Sequence, residues 1–304
     1  MKLRKEKALL PALYAANGDF ILLRDEISRK NLSNLFGHDL AVEKNLNIIT
    51  LNDLSEINEK ISRIVPWGWD HAIVRDLMEN GVKADLMPSL GELDNLRNLS
   101  HRRTAIFFRE KIGEFLHTEL LNLPKELFSL DEVKDFLHKN PLAYFKAPWS
   151  SSGRGIVVSD HITRKGLMEW SHGVIRQQGS VIAEPKWERT FDFATEWEIR
   201  DANVIFMGVS VFETSSRGKY KGNINKPQEE LFYLIKTSVP TFNDKIIKAQ
   251  KKTIETLIAP YYQGYLGIDL LADAAGRINP CVELNLRLTM GHIPILSNNL
   301  SRQL

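Results

Sequence analysis

The sequence predicts a small α/β domain at the N-terminus, followed by a larger part built on antiparallel strands. Two observations support this prediction. Over residues 1–100, short apolar runs alternate with helix-like patterns, which is typical of a domain with a parallel sheet. Beyond residue 140, strand-like runs are joined by short polar turns, which favours hairpins. At 304 residues the chain is longer than one typical domain and suits two or three.

Composition narrows the class of protein. The hydrophobic content of 43% and charged content of 26% are ordinary for a globular chain. A net charge of +2 gives no broad field that would attract nucleic acid or an anionic membrane. The single cysteine, Cys281, cannot form an internal disulfide, which favours a reducing compartment. The apolar run near the N-terminus is interrupted by Pro11 and Asn17, so we do not expect a signal peptide. We expect a cytoplasmic protein that binds neither nucleic acid nor membrane.

The N-terminal part alternates strands and helices up to a boundary at Met87–Leu90. Asp70 follows a turn and is a candidate helix N-cap. The predicted strands are Phe20–Leu23 and Asn47–Leu51, and the predicted helices are Asp53–Arg63 and Asp70–Asn80.

A charged helix is predicted over Glu92–Phe115, with Ser100 as a candidate cap within it. We expect its cluster of cations to form a solvated basic face, because charge runs usually do. These cations are Arg102, Arg103, Arg109 and Lys111.

A hairpin with an unusually small-residue tip follows the helix predicted at Asp131–Lys139. Strands at Leu142–Lys146 and Ile156–Ser159 flank the loop Ser150–Gly155. Small residues let backbone N–H groups approach an anion closely, and Lys146 can reach the same anion. The loop is therefore a candidate phosphate site, although a flexible hairpin tip has the same composition.

The next stretch supplies another acid at the end of a strand. A helix is predicted at Ile162–Gly179, and Ser180–Glu184 is a short apolar strand that ends in Glu184 before Pro185. An antiparallel pair is predicted at Thr190–Arg200 and Asn203–Phe212, and an amphipathic helix at Asp244–Ala259. The polar loop Ser215–Asn225 suits either a lid over anionic ligands or an exposed linker.

The closing hairpin, Gly264–His292, delivers polar residues into apolar strands. Asp269 lies in the first strand, and a period of two places Glu283, Asn285 and Arg287 on one face of the second. Carboxylates and amides are suitable ligands for Mg²⁺, and arginine suits phosphate. The alternative, a surface hairpin with a wet polar face, gives the same alternation.

The order of these features resembles the ATP-grasp superfamily over roughly residues 90–292. Three stretches carry the resemblance, and the E-x-N-x-R string at 283–287 is the most specific part of it. The stretches are FKAPWSSSGRGIVV (145–158), VIAEPKW (181–187) and GIDLLADAAGRINPCVELNLR (267–287). The resemblance implies a pre-ATP-grasp α/β domain over 1–100 and a two-lobe ATP-grasp domain over 101–304. The small lobe would span about 115–185 and the large lobe about 186–304.

The resemblance also implies an ATP site. Lys146 would contact the α- and β-phosphates, and the loop after it would fold over the triphosphate. Glu184 would take the adenine amino group, and the backbone at Lys186 and Trp187 would read the adenine edge. Arg102 stands where the family usually has a lysine. The implied nucleotide contacts are Arg102, Lys146, Ser151, Ser152, Gly153, Arg154, Gly155, Glu184, Pro185, Lys186, Trp187 and Asp192.

The family's metal and catalytic positions map onto the closing hairpin. Asp269 and Glu283 would hold Mg²⁺ (or Mn²⁺), with Glu283 bridging two ions and Asn285 completing the second site. Arg287 would lie by the γ-phosphate and the acyl phosphate. Arg200 is a candidate for binding the substrate carboxylate, as are Arg217 and Lys219, although a solvated cation is an equal alternative for these three.

The implied reaction is an ADP-forming ligation of a carboxylate to an amine or thiol through an acyl phosphate. The expected substrates are small molecules, amino acids or peptides. A kinase-like phosphotransferase and an ATP-binding regulatory or assembly protein of low turnover are the alternatives. The chain ends at Leu304, soon after His292. We therefore expect an acceptor pocket that is completed by a second subunit or a partner protein, or is open to a large substrate.

Overall fold

The structure is a computed structural model that describes residues 10–23, 46–117, 123–150, 155–214 and 220–301. The described residues divide into two compact units. The first unit runs up to Leu93 and takes in the residues from His292 onward, and the second runs from Asp94 to Gly291. Sequence analysis placed the boundary near residue 100 and assigned the C-terminal segment to the second domain. The structure instead groups that segment with the first unit.

The first unit contains the predicted parallel pair. Strand β1 (Phe20–Leu23) pairs with β2 (Asn47–Thr50), Phe20 opposite Asn47. Helix α1 (Leu54–Ile57) lies between 3₁₀ turns at Leu51–Asp53 and Asn58–Lys60, so the single helix predicted over Asp53–Arg63 is wrong. Asn58 explains part of the break. Its side chain donates to the Gly81 carbonyl at 2.7 Å and accepts from the Lys83 N–H at 3.3 Å, which are long-range bonds that local helix propensity cannot anticipate.

The rest of this unit packs around helix α2 (His71–Glu79). The predicted cap is confirmed, because the Ile73 N–H donates to Asp70 Oδ1 at 2.8 Å. Val74 and Leu77 of this helix are buried in a core with Ile49 and Leu54. The 3₁₀ turns at Leu10–Leu13 and Ala84–Leu86 and helix α9 (His292–Ser301) complete the described elements.

Two helices replace the long helix predicted over Glu92–Phe115. They are α3 (Leu90–Leu99) and α4 (Arg103–Leu116). Ser100 is not a cap, since its hydroxyl donates back to the Leu96 carbonyl at 2.7 Å. Arg102 occupies the N-cap position of α4, and its backbone N–H donates to the Pro148 carbonyl at 3.1 Å. The break therefore attaches this chain segment to the hairpin that carries the Ser/Gly loop.

The small sheet has the antiparallel order β3–β6–β4–β5. Its helical face is covered by α5 (Leu130–Lys139) and α6 (Arg164–Gln178), which pack on Phe145 and Ala183. Because side chains alternate along a strand, Lys146 and Glu184 lie on the opposite face, where both are buried. The strands are β3 (Lys125–Leu127), β4 (Ala143–Lys146), β5 (Ile156–Val158) and β6 (Val181–Pro185).

The large sheet has the antiparallel order β11–β10–β7–β8–β9. The turn between β7 and β8 uses left-handed φ values of 50° at Asp201 and 60° at Ala202, which suits a tight hairpin. The strands are β7 (Arg189–Arg200), β8 (Asn203–Thr214), β9 (Tyr220–Asn223), β10 (Gly264–Asp273) and β11 (Ile278–Asn285); the helices are α7 (Gln228–Ser238) and α8 (Asp244–Leu257).

One face of the large sheet forms the core of the second unit. Phe193, Thr195 and Trp197 of β7 are fully buried on this face. The Thr195 hydroxyl donates to Gln250 of α8 at 3.1 Å, which shows that α8 covers the face. The intervening residues of β7 point to the other face, and that face carries the candidate site.

Candidate active site

Register pairing places the predicted metal residues in two adjacent rows across the open face of the large sheet. The first row runs Glu283, Asp269, Ala194 and Ser210 across four strands. The second row runs Asn285, Gly267, Glu196 and Gly208. In the second row, the polar side chains of Asn285 and Glu196 alternate with glycines. Thr289 packs closely on Gly267, where a Cβ would be 2.5 Å from Thr289 Cγ2. The structure therefore brings together the side chains of Asp269, Glu283 and Asn285.

Asp269 and Glu283 are directly opposed on neighbouring strands. Desolvation, the largest cause, and the negative charges of Glu283 and Glu196 together raise the pKa of Asp269 to about 8. Like charges this close are unfavourable unless a cation lies between them. Within the described ranges, no cluster of three or more His, Cys, Asp or Glu side chains suits a metal. The pair fits a hard divalent cation that takes its remaining ligands from phosphates and water, as Mg²⁺ does.

Asn285 and Arg287 extend this cluster by hydrogen bonds. Asn285 Nδ2 donates to Asp269 Oδ2 at 3.3 Å, and Asn285 Oδ1 accepts from Arg287 Nη2 at 2.9 Å. Arg287 Nη1 donates to the Leu288 carbonyl at 2.9 Å. Two anchors on one guanidinium restrict its rotamers, so Arg287 is oriented beside the carboxylates before any ligand binds.

Arg102 joins the small-residue hairpin to the metal residues. Its Nη1 donates to the Ala147 carbonyl and to Ser150 Oγ, both at 2.6 Å. Its Nη2 forms an ion pair with Glu283 Oε1 at 2.8 Å. Only 8% of Arg102 is exposed. The phosphate contact predicted for Arg102 stays a prediction, and the contact with Glu283 was not anticipated.

The basic face predicted for this region is wrong for two of its residues. Arg102 is buried, and Arg109, only 1% exposed, lies in the interior near Glu184 and Cys281. Desolvation lowers the pKa of the Arg109 guanidinium, although the negative charge of Glu184 opposes the shift. Arg103 fits the prediction better, since 42% of its side chain is exposed.

The predicted nucleotide residues Lys146 and Glu184 form an ion pair across β4 and β6. Both side chains are buried on the face of the small sheet opposite α5 and α6. A buried pair of this kind is costly to break by removing one partner, because the other charge stays desolvated. The pair therefore holds both side chains in fixed positions, and their predicted nucleotide contacts stay predictions.

A cleft of about 590 Å³ is lined by Tyr144 of the small sheet, by the segment 186–188 and by β7, β8 and β9 of the large sheet. It contains three of the predicted nucleotide residues, Lys186, Trp187 and Asp192. The Lys186 N–H donates to the Leu142 carbonyl at 2.9 Å, and the adenine contact expected of the backbone at Lys186 and Trp187 stays a prediction. The indole N–H of Trp187 is buried and has no hydrogen-bond acceptor in the structure. It is a polar group that a ligand in the cleft can satisfy.

Some predicted site residues do not join Asp269, Glu283 and Asn285. Arg200 lies at the far end of β7, six residues from Ala194, or about 20 Å at the usual strand rise. There it pairs with Glu198 at 2.6 Å, with half of its side chain exposed. Asp192 lies in the cleft and 3.8 Å from Arg189. Ser151, Ser152, Gly153, Arg154, Arg217 and Lys219 lie outside the described residues.

The structure describes the ends of the Ser/Gly loop, and the close packing around Gly155 leaves no space for a side chain. A Cβ at this position would be 2.8 Å from the Ser150 Cβ and 3.0 Å from the Ala147 Cβ. The Gly155 carbonyl accepts from the Ala147 N–H at 2.7 Å. The loop is thus closed tightly at its base, between Lys146 and Arg102.

Sequence analysis missed Glu196. This carboxylate is 1% exposed and accepts hydrogen bonds from Ser210 Oγ at 2.8 Å and Thr289 Oγ1 at 2.9 Å. A Cβ on Gly291 would be 2.0 Å from Glu196 Oε1, so the turn after Arg287 packs closely on the carboxylate. The signal was the alternation of Asp192, Glu196 and Glu198 along a predicted strand, with the same period as the metal residues of the closing hairpin.

Solved structures share this architecture at low sequence identity. A biotin carboxylase–β,γ-ATP complex from Campylobacter jejuni aligns with a TM-score of 0.60 at 15% identity, over 98% of this chain and 67% of that chain. The N5-carboxyaminoimidazole synthetase of Staphylococcus aureus, complexed with ADP, aligns with a TM-score of 0.51 at 11% identity, over 91% and 72%. D-cycloserine synthetase DcsG gives a TM-score of 0.51 at 11% identity, over 93% and 98%.

The chain has the ATP-grasp fold. The two antiparallel sheets agree with the fold that the sequence resemblance implied. No family model matches the sequence, and no curated protein matches it significantly. Within the part of the chain that the structure describes, no helix has the length and apolarity needed to cross a membrane.

Proposed function

We propose that this protein is an ATP- and Mg²⁺-dependent ligase that joins a carboxylate to an amine or thiol through an acyl phosphate and releases ADP. The observation that carries the proposal is the opposed pair Asp269 and Glu283, with Arg287 oriented beside it. The fold shared with structures complexed with β,γ-ATP and with ADP supports a nucleotide substrate. The proteins named as synthetases among these structures support ligation as the class of reaction.

In this proposal the nucleotide lies along β7. Its base occupies the cleft at Lys186, Trp187 and Asp192, and its phosphates run toward Asp269, which is opposite Ala194. Lys146 neutralises phosphate charge, and Glu184 accepts from the adenine amino group. The triphosphate contacts of Ser151, Ser152, Gly153 and Arg154 are carried over from the sequence resemblance, and the described ends of this segment, Ser150 and Gly155, lie beside Arg102 and Ala147.

Asp269 and Glu283 would hold the metal, with Asn285 beside them. When bound, Mg²⁺ neutralises the charge on the transferring γ-phosphoryl group. The protein has little covalent chemistry to perform in such a transfer, and it acts mainly by placing charge. Arg287 places a fixed positive charge where the phosphoryl group reaches the substrate carboxylate. Arg217 and Lys219 are proposed to bind that carboxylate.

The single cysteine fits a reducing compartment such as the cytoplasm. Cys281 is buried in β11, and burial raises the pKa of its thiol, so the group is a packed and unreactive side chain. We assign the thiol no part in the reaction.

The decisive experiment is a screen for ADP release from Mg²⁺-ATP with amino acids, dipeptides and small dicarboxylates, alone and in pairs. We expect ADP in stoichiometric amounts with a coupled product, only when both a carboxylate and an amine or thiol are present. A phosphorylated substrate without coupling would instead identify a kinase. If Glu283→Gln left nucleotide turnover unchanged, the metal site and the ligase proposal would both be wrong.

A further inference from the structure

The number of metal ions is the point on which this chain departs from the two-ion scheme implied by its resemblance. In that scheme Glu283 bridges two ions and Asn285 completes the second site. The second ion needs one oxygen from each of these residues. In the structure, Glu283 Oε1 contacts Arg102 Nη2 at 2.8 Å, and Asn285 Oδ1 contacts Arg287 Nη2 at 2.9 Å. Both oxygens are therefore already bound to a guanidinium.

Neither guanidinium is loosely placed. Arg102 is 8% exposed and also donates to Ala147 and Ser150, so moving it away would leave a buried charge and two acceptors without their donor. Arg287 is also anchored to the Leu288 carbonyl. An arginine cannot lose its proton in a protein, so it cannot turn into a neutral neighbour when a cation approaches.

The position of the first ion, at Asp269 and Glu283, remains suited to a divalent cation. Asp269 opposes Glu283, whose second oxygen is not the one that contacts Arg102. The two carboxylates together carry the charge of one divalent cation, and Arg102 adds a further positive charge at Glu283. A second divalent ion beside Arg102 and Arg287 would face the repulsion of two fixed guanidinium charges.

We propose that this chain binds one divalent cation with its nucleotide, at Asp269 and Glu283, and that the guanidinium groups of Arg102 and Arg287 replace the second ion. The inference rests on the proposed nucleotide site. It makes Arg102 a positioning residue that joins the hairpin of β4 and β5 to the proposed metal ligand Glu283.

Equilibrium dialysis against Mn²⁺ and the non-hydrolysable analogue AMP-PNP tests the proposal without turnover. The excess of manganese and of nucleotide in the protein compartment gives their ratio directly. We expect a ratio of one for the wild type and two for the double variant Arg102→Met with Arg287→Met, because only the two changes together free both Glu283 Oε1 and Asn285 Oδ1. Arg102→Lys keeps the positive charge and should stay at one. Arg103→Met removes the neighbouring charge, which contacts Glu126 and not the metal residues, and should also stay at one.

A ratio of two in the wild type would overturn the inference while leaving the nucleotide site intact. A ratio of one in the folded double variant would overturn the replacement of the second ion by the two guanidinium groups. Absence of excess nucleotide with the wild type would overturn the nucleotide site, and the inference with it. If the double variant does not fold, the wild-type ratio decides the number of ions by itself.

Discussion

The small sheet and the large sheet both place acids on the face that lines the candidate site, but they compensate the charge differently. On the small sheet, Glu184 pairs with Lys146 and lies near buried Arg109. On the large sheet, Asp269 and Glu283 oppose each other, with Glu196 in the next row. Glu184 and Glu283 each have a cation within the fold, Lys146 and Arg102, whereas Asp269 faces the negative charges of Glu283 and Glu196.

The charged residues on the small sheet are therefore assembled before a ligand binds, whereas those on the large sheet need a ligand to offset their charge. The Lys146–Glu184 pair is satisfied without nucleotide, so it stabilises the fold and fixes the edge of the cleft. Desolvation, together with the negative charges of Glu283 and Glu196, raises the pKa of Asp269 to about 8. A divalent cation would relieve the repulsion between these carboxylates. Five predictions test the contrast, beginning with the largest expected effect.

Asp269→Asn and Glu283→Gln should each lower Mg²⁺-ATP turnover by at least about 100-fold, because each removes a charged ligand while keeping the side chain's shape. The measurement is steady-state ADP release at saturating Mg²⁺, with circular dichroism to show that the fold is kept. Exposed Glu229→Gln on α7 serves as the control and should retain turnover. Unchanged turnover in both variants would contradict the metal assignment.

Asp269→Asn should increase the stability of the metal-free protein, although it lowers turnover. Folding raises the pKa of Asp269 from about 3.9 to about 8, so the folded state binds more protons than the unfolded state between these pH values. Wild-type stability should therefore fall as the pH rises from 4 to 8. Asp269→Asn should remove this loss and raise the free energy of unfolding at pH 9 by about 2 kcal/mol, a discounted figure because Asp269 is only partly buried. Urea unfolding of the wild type and of Asp269→Asn at pH 4 and pH 9 would measure these changes in the free energy of unfolding.

Lys146→Met should break the compensated pair of the small sheet. The lone buried Glu184 should cost about 3 kcal/mol of stability, and nucleotide affinity should fall by about 10- to 100-fold. The double variant Lys146→Met with Glu184→Leu should recover most of the stability, because both charges are then gone, but not the affinity. Calorimetric titration with AMP-PNP and urea unfolding separate the two effects. Recovery of affinity in the double variant would show that neither side chain binds nucleotide.

Gly291→Ala should test the packing of the turn after Arg287 on Glu196. The added Cβ would be 2.0 Å from Glu196 Oε1 and 2.5 Å from Ser210 Oγ, so it should destabilise the protein by about 1 to 3 kcal/mol. Gly173→Ala is a matched control in the interior of α6, where a Cβ meets nothing within 4 Å, and should stabilise by about 0.5 to 1 kcal/mol. Equal changes in melting temperature for the two variants would contradict the close approach at Gly291.

Arg200→Gln should have the smallest effect. Arg200 is half exposed, pairs with its neighbour Glu198 and lies about 20 Å along β7 from the level of Asp269. We expect less than about a two-fold change in the KM for any carboxylate found by the screen, because an exposed pair contributes little. A ten-fold increase in that KM, with kcat unchanged, would restore Arg200 to the substrate site.

The strands and the closing hairpin could be predicted because their information is local. An alternation of period two fixes which residues share a face, and Glu283 and Asn285 do share one, with Glu283 opposite Asp269. The break between α3 and α4 could not be predicted in this way. The helix pattern continues through Ser100–Arg102, and only the bonds of Arg102 to Pro148, Ala147 and Ser150 make the interruption favourable.

The sequence by itself determined most of the described strands, the closing hairpin, and the residue types that suit ATP and a metal, because these follow from periodicity and side-chain chemistry. Only the tertiary structure decided which charges compensate one another. It paired Lys146 with Glu184, placed Arg102 on Glu283, and buried Glu196 beside Asp269. These partners are far apart in the chain, and the energy of a charge depends on burial and on neighbours within a few ångströms, which no local pattern encodes.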